Sequence, residues 1–320
     1  MTNTAYYPDF ALQPWQFGQR KKLPLFIKER LSVKRIEDWY AHWGGDVYIS
    51  FSGGKDSTVL LDLVRKSFPD VPAVFVNTGL EYPEIREFVD KFDNVTIVRP
   101  KMSFKKVIEK YGYPIISKST SQAIHEVQHA KDPNGPLATL RLTGIGPNGN
   151  FRPASMIPKK WQFLLGAPFK VSHKCCDVLK KNPAKQYEKE SGRKPYIGTL
   201  ATESKTREKQ YLKNGCNGFN MRRPVSNPIA FWTEQDILQY LSKNSIEIAE
   251  PYGDIVEKNG KLELTGEPRT GCIFCGFGVQ FADSRDKFTR LKKTHPHLHD
   301  YCMTTLKLKE VLDYIGIPSE

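Results

Sequence analysis

Apolar positions fall into short runs separated by stretches with helical period. Val47-Tyr48-Ile49-Ser50-Phe51 alternates poorly between apolar and polar and reads as a buried strand. Residues 58–64 place apolar side chains along one side and predict a helix. Ala73-Val74-Phe75-Val76-Asn77 predicts a second strand, with Pro83 well placed to start a helix over 84–92. Val95-Thr96-Ile97-Val98 predicts a third strand, followed by a helix over 103–111 with Ser103 as N-cap. Upstream, residues 26–43 read as a helix whose Ile27, Leu31, Ile36, Trp39 and Trp43 share much of one face, ended by Gly44-Gly45. Strands alternating with helices predict an α/β fold with a doubly wound, mostly parallel sheet. Ligands of such sheets sit at the carboxyl ends of the strands.

The pattern weakens over residues 112–172, where Pro114, Pro133, Pro136, Pro147, Pro153, Pro158 and Pro168 interrupt it. This stretch reads as a loop-rich insertion or lid, with 119–130 as a candidate helix. Beyond it, 174–189 reads as a helix, 195–200 as a core strand, and 233–242 as a helix capped by Thr233 with Asp236 at its third position. Residues 251–280 read as loop, and 284–293 and 304–314 as short terminal helices. The expected organisation is an N-terminal helical segment (1–45), an α/β domain (46–280) holding the insertion, and C-terminal helices (281–320).

Composition narrows the class. Hydrophobic residues make up 39% of 320 positions, and mean hydropathy is −0.50, as in a soluble globular chain. No run approaches the roughly 18 apolar residues of a membrane span. Residues 1–9 lack a basic stretch followed by an apolar one, so no signal peptide and a cytoplasmic location are expected. A net charge of +13 suggests an anionic partner, with a solvated basic surface as the plainer alternative. Six cysteines in such a chain point to metal or redox chemistry before disulfides.

Between the first strand and the first core helix lies Ser52-Gly53-Gly54-Lys55-Asp56-Ser57. Glycines let the backbone approach a ligand, the free N–H groups of a helix start favour an anion, and Lys55 adds positive charge. Together they describe a phosphate cradle. It is not a Walker A loop, because Asp56 follows the lysine where that motif has serine or threonine.

The cysteines form a second constellation. Cys175 and Cys176 are adjacent, and Cys272 and Cys275 form a Cys-x-x-Cys pair. Thiolates in this number hold zinc or an iron–sulfur cluster. One tetrahedral ion prefers the open Cys-x₂₋₄-Cys bite. Neighbouring cysteines can instead take different irons of a cubane. Unligated thiols or a disulfide remain alternatives. Lys170, Lys174, Lys180 and Lys181 would favour thiolates. Cys216 and Cys302 stand alone and read as plain residues.

Several of these motifs carry a family resemblance. Ser52–Ser57 resembles the pyrophosphate loop (PP-loop) of the adenine-nucleotide α-hydrolases, which break ATP between its α- and β-phosphates. Asn77-Thr78-Gly79-Leu80-Glu81-Tyr82-Pro83 is similar to the second-strand motif of the phosphoadenosine phosphosulfate (PAPS) reductase family within that superfamily. Gly198, Glu203-Ser204 and Arg207 resemble its Gly-x-Arg-x-x-Glu-Ser-x-x-Arg segment. Pro228-Ile229 with Trp232-Thr233 and Asp236, and Pro251-Tyr252 leading to Gly271-Cys272, resemble its later motifs. The resemblance covers roughly residues 46–280. The cysteine spacing is similar to the [4Fe–4S] pattern of adenylylsulfate reductases.

The resemblance implies roles. Ser52, Gly53, Gly54, Lys55, Asp56, Ser57, Asn77, Thr78, Gly79, Glu203 and Ser204 would bind ATP. Lys55, Asp56 and Arg207 would serve the chemistry with Mg²⁺. Cys175, Cys176, Cys272 and Cys275 would hold a [4Fe–4S] cluster, or zinc. Three departures separate the chain from reductases proper. The loop is intact, which favours ATP. No Glu-Cys-Gly-Leu-His segment follows, and Leu200 stands where the Gly-x-Arg segment has arginine. The expected activity is therefore adenylylation of an acceptor, coupled to sulfur transfer onto tRNA or DNA. A PAPS or adenylylsulfate reductase and a non-catalytic nucleotide-binding subunit are the alternatives. Adenine nucleotide, nucleic acid and a sulfur-donor protein are the expected partners, in a homo-oligomer with no membrane contact.

Overall fold

β1 (Val47–Ser50) is buried along Val47, Tyr48 and Ile49, as befits a strand covered on both faces. The computed structural model describes residues 11–319, the side chain of Asp283 excepted; the reading of the first nine positions lies outside them. Helices α1 (Pro14–Lys21) and α2 (Leu25–His42) precede β1. After it come α3 (Lys55–Ser67), β2 (Ala73–Val76), α4 (Pro83–Asp90), β3 (Val95–Val98), α5 (Phe104–Tyr111), β4 (Ile115–Ile116), α6 (Lys118–Gln128) and α7 (Pro136–Thr143). Then follow α8 (Asn182–Ser191), β5 (Lys194–Ile197), α9 (Lys205–Asn214), β6 (Asn217–Gly218), β7 (Val225–Ser226) and α10 (Glu234–Lys243). The chain continues through β8 (Ile255–Lys258), β9 (Lys261–Leu264), β10 (Gly276–Phe277), α11 (Ala282–Arg285), α12 (Lys287–Thr294), α13 (Pro296–Asp300) and α14 (Leu308–Tyr314). No described helix is long and apolar enough to cross a membrane.

Two units are drawn from interleaved segments. One takes the chain up to Asn77, with Glu81–Val98 and Ala184–Gly271; the other takes Thr78–Leu80, Arg99–Pro183 and the chain from Cys272. The first unit holds a sheet in the order β3-β2-β1-β5-β7-β6. Every pairing is parallel except that of β6 with β7. The α/β class with a mostly parallel sheet is thus realised.

Within this unit α2 departs from its expected face. Lys28, Ser32, Ile36 and Trp39 are its buried positions, while Ile27 and Leu31 are only partly covered. Polar side chains are accepted there because each has partners. Lys28 Nζ lies 2.5 Å from Asp236 Oδ2 and donates to the Lys21 carbonyl at 2.7 Å. Ser32 Oγ donates to the Pro228 carbonyl and accepts from Trp232 Nε1, both at 2.9 Å. Thr233 and Asp236 form the expected capping box of α10.

Residues 251–280 are not the loop expected. β8 and β9 pair antiparallel across Asn259-Gly260, whose φ angles of 52° and 71° suit a tight hairpin turn. Residues 112–172 are likewise more regular than a loop-rich insertion. They contain β4, α6 and α7. Ser117 caps α6 by accepting from Thr120 N.

In the second unit, β10 pairs parallel with β4. This brings the segment after Cys275 against Pro114–Ile116: Gly276 N donates to the Pro114 carbonyl at 3.0 Å, and Gly278 N to the Ile116 carbonyl at 2.7 Å. A Cβ at Gly276 would stand 2.8 Å from the Pro114 oxygen, so only glycine fits.

Candidate functional sites

The Ser52–Ser57 loop leaves β1 and enters α3 at its carboxyl end. Gly53 turns the chain at φ +69°, and a Cβ there would stand 2.9 Å from Ile85 and Val89 of α4. Gly198 sits close on the other side, where a Cβ would meet the Asp56 carbonyl at 2.9 Å. Both glycines are therefore demanded by close backbone approach. Ser52 Oγ and Ser57 Oγ lie 3.0 Å apart, and Ser57 Oγ donates to the Gly54 carbonyl at 2.8 Å. Asn77 follows β2 on the same edge of the sheet, its N–H donating to the Val98 carbonyl. In the other unit, Thr78 Oγ1 accepts from Leu80 N at 3.2 Å, and Gly79 has φ +75°.

Lys55 is buried, although its sequence position suggested a freely presented charge. Its ammonium donates to the Pro268 carbonyl at 3.3 Å, lies 3.3 Å from Glu234 Oε1 and 3.9 Å from Asp56 Oδ1. It also stands 5.7 Å from the centre of the Tyr252 ring. The Tyr252 hydroxyl accepts from Lys55 N at 3.2 Å and pairs with Thr270 Oγ1 at 3.0 Å. An ammonium with carboxylates in reach stays charged without solvent. Asp56 is pushed the other way: burial raises its carboxyl above the usual range, aided by Glu234 and opposed by Lys55, Arg269 and Arg207. Its Oδ1 is buried and has no hydrogen-bond partner.

Ser204 caps α9, accepting from Arg207 N at 3.3 Å. Glu203 accepts from Leu200 N at 3.2 Å and pairs with Arg207 one helical turn on. Arg269 Nη1 reaches the same carboxylate at 3.3 Å. Burial, then the neighbouring Arg269 charge, lower the Arg207 guanidinium. Leu200 itself is buried, so the position expected to carry an anion-binding arginine packs into the core.

Sequence reasoning did not single out Tyr252, Glu234, Arg269 or Thr270 as site residues. Tyr252 and Glu234 stand inside quoted motifs, which was the available signal. Arg269 had only its place just before the Cys-x-x-Cys pair.

In the second unit, Cys175, Cys176, Cys272 and Cys275 line one cavity of about 290 Å³, open solvent included, with Leu80, Phe104, Pro114, Leu179 and Lys180. The structure thus brings together thiols from distant parts of the chain. Cys175 Sγ lies 3.9 Å from Cys176 Sγ. A hydrogen bond from Cys175 lowers Cys176 to about 6, helped by Lys118 and Lys180, and the same bond raises Cys175. Burial raises Cys275 to about 11 against the pull of Lys287. Lys287 Nζ donates to the carbonyls of Cys272 at 2.8 Å and Cys275 at 3.0 Å. Among the described residues no three His, Cys, Asp or Glu side chains converge closely enough for a single ion. Cys302 is fully buried, donates to the His299 carbonyl, and is raised to about 12 by burial.

Comparison with known proteins follows the same lines. The chain is 24% identical to the adenosine 5′-phosphosulfate reductase of Lysinibacillus sphaericus over 243 residues, covering 74% of this chain and 76% of that one. It is 22% identical to the enzyme of the same name from Anoxybacillus flavithermus, covering 82% and 86%. It is 26% identical over 288 residues to an uncharacterised protein of Methanocaldococcus jannaschii, covering 87% of this chain but only 53% of that protein. The solved PAPS reductase of Candida auris, a phosphate complex, aligns with 78% of this chain and 98% of its own at a TM-score of 0.40 and 16% identity. The family model of the phosphoadenosine phosphosulfate reductase domain matches residues 46–131 and 151–267, and the chain belongs to that family of enzymes.

Proposed function

We propose that the chain is an ATP-using member of its family. An acceptor oxygen attacks the α-phosphorus of ATP, the bond to the β-phosphate bridging oxygen breaks, and pyrophosphate leaves as the acceptor gives up its proton. One observation carries this reading. Lys55 stands at the amino end of α3 beside the glycine turn, its charge held by Glu234 and a carbonyl that phosphate oxygens can replace. The loop N–H groups and Lys55 bind the β- and γ-phosphates, with Ser52 and Ser57 as further donors. Asn77, Thr78, Gly79, Glu203 and Ser204 complete the nucleotide's surroundings. Asp56 Oδ1, buried and unpartnered, fits a Mg²⁺ that neutralises the leaving group. Arg207 faces the acceptor, with Lys205 beside it.

The four-thiol cavity fits an iron–sulfur cluster, since its donors are cysteines, its remaining wall is largely apolar, and Lys180 and Lys287 offset negative charge. Zinc is the alternative occupant. A cluster on Cys175, Cys176, Cys272 and Cys275 would supply sulfur or electrons to the activated acceptor. The basic net charge of +13 supports a nucleic acid, tRNA or DNA, as that acceptor. A sulfur-donor protein and a second copy of the chain are proposed partners.

The test is pyrophosphate release from ATP in the presence of candidate acceptors, lost in Lys55→Ala. Failure of the protein to bind ATP would overturn the reading. Iron and sulfide in anaerobically purified protein separate cluster from zinc.

A second reading, adenylylsulfate or PAPS reduction, is favoured by the names of the bacterial relatives. It needs an accessible nucleophilic thiol, and Cys302 is buried and held protonated at neutral pH. Sulfite release that disappears in Cys302→Ser would promote it.

A further inference from the structure

We propose that Arg207 and Arg269 form a clamp for a tetrahedral oxyanion, a phosphate or sulfate group of the second substrate, with Glu203 as an internal place-holder that the anion displaces. The clamp rests on the nucleotide-site reading above but has its own residues and its own test.

Both guanidiniums are held on one carboxylate. Arg207 pairs with Glu203 Oε2, and Arg269 Nη1 lies 3.3 Å from Glu203 Oε1. Two positive charges against one leave the group net positive. Each guanidinium carries about five N–H donors, far more than one carboxylate can accept. The fork that fits a carboxylate also fits phosphate and sulfate, so a side-chain carboxylate between two arginines occupies the place such an anion would take. Glu203 is itself fixed by Leu200 N, which keeps the pair assembled in advance.

Arg269 is bracketed by contacts to the phosphate loop. Its preceding residue, Pro268, accepts from Lys55 Nζ at 3.3 Å. Its following residue, Thr270, pairs with the Tyr252 hydroxyl, which accepts from Lys55 N. Both arginines also act on the Asp56 carboxyl. The clamp therefore stands beside the loop, where a second substrate must meet a bound nucleotide. Arg269 is 62% exposed, so its head can leave Glu203 for a ligand without breaking core packing.

The experiment measures binding of inorganic phosphate and of sulfate, separately, by calorimetry at low ionic strength, with ATP binding as a parallel arm. Arg269→Gln should weaken binding of at least one oxyanion about tenfold, and Glu203→Gln should tighten the same one by a similar factor, with folding checked by circular dichroism. Preference between phosphate and sulfate identifies which group the second substrate bears. Equal oxyanion binding by wild type and Arg269→Gln, weaker binding by Glu203→Gln, or no oxyanion binding by any form would overturn the clamp. ATP binding lost in Lys55→Ala but kept in Arg269→Gln leaves the nucleotide reading standing in those cases. Oxyanion binding with the expected opposite shifts, but no ATP binding, would uphold the clamp and remove the nucleotide reading.

Discussion

Glu234 Oε1 lies 3.3 Å from the Lys55 ammonium, so the phosphate-binding lysine is engaged by a carboxylate of α10. A phosphate must compete with that partner. Glu234 is 54% exposed and can be neutralised at little structural cost. Glu234→Gln is expected to raise affinity for ATP several-fold, because one competing charge is gone. Lys55→Ala should lose most of the affinity. Calorimetric titration with ATP decides the matter; tighter binding is the expected result, and weaker binding in Glu234→Gln would mean that the carboxylate serves the nucleotide.

Lys28 and Asp236 hold α2 to the start of α10 through a pair that is nearly closed to water. Removing one partner strands the other, at a typical cost of about 3–5 kcal/mol. Asp236 keeps Thr233 N at 2.6 Å and Thr233 Oγ1 at 2.7 Å, which places Lys28→Met at the low end, about 3 kcal/mol. Urea unfolding measures it. A change under about 1 kcal/mol would show that the pair contributes little beyond an apolar replacement.

That same pair marks the limit of what the sequence told. The strand, glycine turn and helix around Lys55 were legible because local period and turn chemistry agree there. Lys28 and Asp236 are 208 positions apart, and nothing local distinguishes Lys28 from a surface lysine. Arg269 was hidden for the same reason: its role comes from Glu203, a partner supplied by the fold. The β8–β9 hairpin was legible in principle from Asn259-Gly260, but Val256, Glu257, Lys261 and Glu263 are exposed and give no buried face to reinforce the signal. The cysteines were legible as a set, because adjacency and Cys-x-x-Cys spacing stand out without any knowledge of packing.

His125 on α6 has a buried Nδ1 without a hydrogen-bond partner. Its ring centre lies 4.1 Å from that of His129 and 5.9 Å from that of His173. Burial, then the charges of His129, His173 and Lys174, lower it to about 4. The unfolded value is near 6.5. The unfolded chain therefore binds more protons between these values, and the stability fully present above about pH 6.5 is lost as pH falls toward 4. Solvent screening reduces the effect to about 1 kcal/mol. Melting of the wild type and His125→Gln near neutrality and near pH 5 should show a smaller fall for the variant. Parallel falls would assign the acid sensitivity elsewhere.

Lys287 is the charge that organises the Cys-x-x-Cys turn. Cys275 N donates to the Cys272 carbonyl at 3.1 Å, and Ile273 N to the Leu80 carbonyl at 2.8 Å, which fixes the path of the turn. The ammonium then gathers the carbonyls of both cysteines. Lys287→Met leaves those oxygens without this donor, at a cost of about 1–3 kcal/mol each if they stay buried. It also removes the positive charge nearest Cys275, which favours the thiolate a metal requires. Iron and acid-labile sulfide per chain, measured after anaerobic reconstitution, should fall at least about twofold in Lys287→Met. Lys287→Arg, which keeps charge and donors in a different shape, should recover part of the loss. Full loading in Lys287→Met would mean that the turn holds its shape through the Leu80 and Pro114 contacts alone, and that the ammonium serves packing rather than the thiols.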